Sequence, residues 1–162
     1  MSKNKTVKGF TLIEILVVVA LIAILTAITF IAINPNKIFQ DARNTTRRAD
    51  IAEILSAVTQ YTSKQSKSLL DFTVAGASLA IPTCGGTAVV IGPAANPATF
   101  VNLTTILVDT EDLIVGIPID PSYSSANLAT LGTGYTICKT GTRVQIDAPG
   151  AEGAGVSISV KR

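Results

Sequence analysis

The sequence predicts an α+β protein: one long amino-terminal helix, its first half able to cross a membrane and its course bent near Pro35, packed on a small antiparallel β-sheet. Three observations carry that prediction. Residues 10–33 form an apolar run whose only charge is Glu14. After Asn34-Pro35-Asn36, apolar residues recur at helical spacing to about Lys67. Beyond Leu70 the composition shifts to Ala, Gly, Thr, Ser and Val, in short apolar or alternating runs bounded by turn residues, which read as strands.

A chain of 162 residues has room for one domain plus an appendage. Only 15% of it is charged, against about 25% in an average soluble domain, so something other than water must solvate much of the surface. Of thirteen basic residues, Lys3, Lys5 and Lys8 precede the apolar run, leaving ten against eleven acids. That balance gives no indication of nucleic-acid binding, which needs clustered basic residues. Histidine is absent, which excludes a Ser-His-Asp triad, a Cys-His pair and a His-containing zinc site from this chain alone.

Residues 1–9 read as a short basic leader. The run that follows has 24 residues from Phe10 to Ile33, a helix of roughly 36 Å against a hydrocarbon core of about 30 Å. Lysines before it and few basic residues just after it place the amino terminus in the cytoplasm and the remainder outside. A secretory signal would have an apolar core of only about 7 to 15 residues closed by an A-x-A site. This run is longer, and no such site closes it. Glu14 does not suit a plain anchor, because a carboxylate costs on the order of 2.5 to 3.5 kcal/mol near the bilayer centre, though less near the interface.

The stretch Lys8-Gly9-Phe10-Thr11-Leu12-Ile13-Glu14, behind a basic leader and heading an apolar run, resembles the amino-terminal motif of type IV prepilins and the related pseudopilins. The resemblance implies a pilin-like fold, cleavage after Gly9 by a prepilin peptidase, and N-methylation of the new terminus at Phe10. It makes Glu14 the fifth residue of the mature chain, with a role in subunit assembly: its carboxylate meets the amine exposed at Phe10 of a neighbouring copy and favours one axial register. A pair within one chain, at the i,i+4 spacing of Phe10 and Glu14, is the alternative. The implied partners are further copies of the chain in a helical homopolymer, other pilins, the prepilin peptidase, the inner-membrane pilus assembly machinery, and the membrane before assembly. No cofactor is implied.

Pro35 should bend or break the helix, since it lacks an N–H and clashes with the preceding turn. Beyond it Ile38, Ala42, Ala49, Ala52, Leu55, Val58 and Tyr61 lie near one face, widened by Ile51 and Ile54. In "DARNTTRRAD" Arg43 and Arg47 are i,i+4 neighbours, but Asp41 and Asp50 interleave with them, and Arg47 with Asp50 at i,i+3 reads as a solvated helix face. Strands are expected at 87–91, 113–117, 135–139, 143–147 and 156–160, with a hairpin through Thr140-Gly141-Thr142. In the last, Val156, Ile158 and Val160 should face a core. The segments "PIDPSY" and "GYTIC…RVQIDAPGAEG" are similar to late segments of pilin-like proteins.

Cys84 and Cys138 lie too far apart for a metal or redox pair. If they are exported, a disulfide is the default, and two buried free thiols are the alternative. Asp109, Glu111 and Asp112 lack the ligand spacing of a calcium loop and read as a solvated loop, so no metal site is expected. Asn44-Thr45-Thr46 and Asn102-Leu103-Thr104 fit the glycosylation tripeptide, a pattern too short to weigh. The remaining acids are scattered without a partner base, so there are no candidate catalytic residues and no enzyme is expected.

The organisation expected is a leader at 1–9, a transmembrane and filament-core helix at 10–34, its amphipathic second half at 35–68, and an extracellular β-rich domain at 69–162. The implied function is that of a structural type IV pilus subunit serving adhesion, motility or DNA uptake. It begins as a single-pass precursor in the cytoplasmic membrane, amino terminus inside, and ends in an extracellular filament. A pseudopilin of a type II secretion system and a monomeric binding domain on a one-helix anchor are the alternatives.

Overall fold

A computed structural model describes residues 9–69, 81–86, 88–92 and 100–162. The chain divides between Ile38 and Phe39 into two units.

In the first unit, helix α1 spans Leu12–Ala32. Thr11 caps it: its Oγ1 accepts from the Glu14 N–H at 3.3 Å, while its own N–H donates to Glu14 Oε2 at 2.8 Å, a reciprocal capping box. The two hydroxyls deep in the run do not waste their donors, since Thr26 donates to the Ile22 carbonyl and Thr29 to the Leu25 carbonyl, each at 2.8 Å. No residue of α1 is buried, and by length and composition it is able to cross a membrane.

The expected bend near Pro35 is a clean break. Ile33 is extended, Asn34 Oδ1 accepts from the Lys37 N–H at 3.3 Å, and Pro35 is the first residue of helix α2, Pro35–Ser63. Proline suits that first position, where its missing N–H has no partner to lose. Asn34 and Pro35 start a helix instead of deforming one.

In the second unit α2 from Phe39 onward lies with five strands: β1 Val89–Ile91, β2 Phe100–Val101, β3 Thr136–Thr140, β4 Arg143–Asp147 and β5 Ser159–Lys161. The sheet order is β2-β1-β3-β4-β5. It is mixed and not purely antiparallel, because β1 and β2 pair in parallel. Residue alternation sets which face a side chain takes but not the direction of the neighbouring strand. Gly141, at φ +61°, turns β3 into β4. One row of the sheet, Ile137, Ile146 and Val160, packs with Ile51, Ile54, Val58 and Tyr61 of α2 in a single core.

Four strand expectations shift, the one at 135–139 by a single residue to Thr136–Thr140. The first begins at Val89, with Thr87 outside the described residues. Residues 113–117 form no strand: Leu113 donates its N–H to the Leu107 carbonyl across a π-helical turn, Thr105–Thr110, leaving Ile114 buried and Val115 98% exposed. The last strand starts at Ser159, so Ile158 is buried and Val160 packs on the core while Val156 stays exposed.

Candidate processing and assembly site

Gly9 and Phe10 are exposed, Phe10 at 85%, directly ahead of the Thr11 cap. Among the described residues, a Cβ added at Gly9 would meet nothing within 4 Å, so their packing places no demand for glycine there. Glu14 Oε2 takes both the Thr11 N–H and the Thr11 hydroxyl at 2.8 Å, and among the described residues Oε1 has no partner. In the intact chain the nitrogen of Phe10 is an uncharged amide; cleavage after Gly9 would make it an amine. The large side chains of the apolar run, Leu12, Ile13, Leu16, Leu21, Ile28 and Ile31 among them, are all exposed, which no soluble monomer tolerates in water.

The disulfide Cys84–Cys138 is formed, with Cα atoms 5.0 Å apart. It fastens the segment at 82–84 to β3, where Cys84 N–H donates to the Lys139 carbonyl and Lys139 N–H to the Pro82 carbonyl, both at 2.8 Å. The tripeptide asparagines are both consumed by the fold. Asn102 is buried and accepts from the Thr104 N–H at 2.9 Å, and Asn44 is buried in the network described next. Glu111 binds Lys64 and, at 3.2 Å, Lys67.

Sequence reasoning missed one constellation. Arg47, expected on a solvated face beside Asp50, is fully buried and spends all five N–H donors. Nε and Nη2 fork onto Asp120 at 2.7 and 2.9 Å, Nη2 also reaches Ser122 Oγ at 2.5 Å, and Nη1 reaches Asn44 Oδ1 and Glu152 Oε1 at 2.9 and 3.0 Å. Arg43 clamps Glu152 in turn, and Asn44 reads its backbone, donating to the carbonyl at 2.7 Å and accepting from the N–H at 3.0 Å. Asp50 instead accepts from the Tyr135 hydroxyl at 2.5 Å. The Arg43 guanidinium, and then that of Arg47, hold the Glu152 carboxyl at about 2. Burial alone would raise the Asp120 carboxyl, but Arg47 with the N–H and hydroxyl of Ser122 brings it below its usual value. The only signal in the sequence was an arginine and an asparagine three residues apart on the helix; the carboxylates lie 73 and 105 residues away.

An exposed apolar helix headed by a capped carboxylate fits a membrane-anchored precursor. Residues 4–30 match the family described as the prokaryotic N-terminal methylation motif, so the chain carries the prepilin-type motif of type IV pilins and pseudopilins, a structural and not an enzymatic group. The match covers residues 4–30, most of α1 among them, and leaves the second unit untouched. No curated protein and no solved structure matches the chain.

Proposed function

We propose that this chain is the precursor of a type IV pilus subunit, cleaved between Gly9 and Phe10, methylated at Phe10 and polymerised through α1 into a surface filament. Glu14 carries the reading. An anchor gains nothing from it, whereas the amine released at Phe10 needs a counter-charge once it is buried among apolar helices. The leucines, valines and isoleucines of α1 then supply the association energy by covering one another, and the Glu14–Phe10 pair between copies supplies register. Prepilin peptidase, the inner-membrane assembly machinery and other pilins are the partners this route requires.

Replacing Gly9 by Val tests it, because among the described residues a Cβ there meets nothing. The variant should fold and insert but accumulate as uncleaved precursor in the membrane fraction, with no surface filaments. Normal maturation of Gly9→Val would refute the assignment of the cleavage site.

A further inference from the structure

Helix α2 is held to the second unit in two different ways. From residue 51 to residue 61 it is anchored by apolar burial, with Ile51, Ile54, Leu55, Ala57, Val58 and Tyr61 all in the core. Ahead of Ile51, from Phe39 onward, its only buried side chains are Asn44 and Arg47, and every tie that the described residues offer it is polar: Arg43 and Asn44 to Glu152, Arg47 to Asp120 and Glu152, Asp50 to Tyr135. The partners stand on two separate loops, at 118–123 and 148–153, apart from Tyr135, which lies directly ahead of β3 and offers only its hydroxyl. Space for them is kept by Gly150, where a Cβ would lie 2.7 Å from Asp120 Oδ2.

We infer that residues 39–50 form a polar latch, which docks on and releases from those two loops and the Tyr135 hydroxyl as one piece while residues 51–61 and the sheet stay folded. Undocking returns a guanidinium and two carboxylates to water, whose hydration offsets much of what the broken bonds lose, and uncovers little apolar surface. Undocking residues 51–61 would open the core itself, which is the global unfolding event. Released residues 39–50 lose the packing that holds their part of the helix, so they fray from their amino-terminal side and their backbone amides exchange. The inference rests on the packing of the second unit and not on what α1 does.

Hydrogen exchange read by mass spectrometry, on the full chain in detergent micelles, tests it. In the wild-type protein amides at 41–50 should exchange at least about tenfold faster than those at 54–61. In a variant combining Asp120→Asn and Glu152→Gln the gap should widen by a further factor of about ten, with 54–61 and 136–147 unchanged. Equal exchange of the two halves of α2 in the wild type would overturn the latch. So would a variant that loses protection evenly across helix and sheet. The wild-type arm decides the matter even if that variant fails to fold.

Discussion

Glu14 is the one charge in an apolar run of 24 residues, and the Thr11 cap engages only one of its oxygens. Under the proposed route Glu14→Leu should still insert and largely still be cleaved, because the leader charges and Gly9 are intact. Its incorporation into filaments should fall at least about tenfold, for want of a partner for the buried amine. Filament yield from sheared cells carrying that variant as sole subunit measures this, and an undiminished yield would remove the role. Arg47 makes the opposite case, a charge fully buried with every donor engaged. Arg47→Ala strands the carboxylates of Asp120 and Glu152 and should cost about 3 to 5 kcal/mol in denaturant unfolding, whereas Arg47→Met combined with Asp120→Asn and Glu152→Gln should cost less, having removed the charges together. Glu14 was legible in the sequence because a lone acid in an apolar run is anomalous by itself. Arg47 was not: an aspartate at i+3 supplied a sufficient local partner, and nothing local tells that Asp50 belongs to Tyr135 while Arg47 waits for residues 73 and 105 positions on.

Among the elements, those written in local chemistry were readable: the apolar helix, the break at Asn34–Pro35, and the hairpin turned by Gly141. The π-helical turn at Thr105–Thr110 was not, and it diverts the apolar residues 113–117 from a strand by taking the Leu113 N–H. The parallel pairing of β1 with β2 depends on where the chain returns, which no alternation encodes. The Cys84–Cys138 bond closes a separation of 54 residues, so reducing it should destabilise the second unit by about 4 kcal/mol in the chain-entropy view. Unfolding with and without a reductant checks this, and identical midpoints would contradict it. The loop elements that meet α2 also set a pH dependence. The folded-state pKa values of Glu152 and Asp120 both lie below their ordinary values, so their contribution is fully present above the ordinary carboxylate range and is lost as pH falls. Stability should therefore hold above about pH 5 and decline from there toward pH 2, where Glu152 finally takes its proton. Glu152→Gln should flatten that decline, and an unchanged acid slope would count against the network.

At the scale of the molecule the two units solve different problems. The second buries its own core; the first buries none of its described residues, and its helix is long and apolar enough to cross a membrane. The family motif confines itself to the first unit, where the chemistry is sequential and compact, and the second unit offers no comparable signature because its contacts join residues far apart. The claim that joins both units is that the chain is matured at Gly9–Phe10 and then polymerised. The most direct measurement is electron microscopy of filaments sheared from the cell surface, with mass spectrometry of their subunits. The account predicts filaments containing this chain, beginning at a methylated Phe10. Filament subunits that retain Met1, or that begin beyond residue 30, would contradict it.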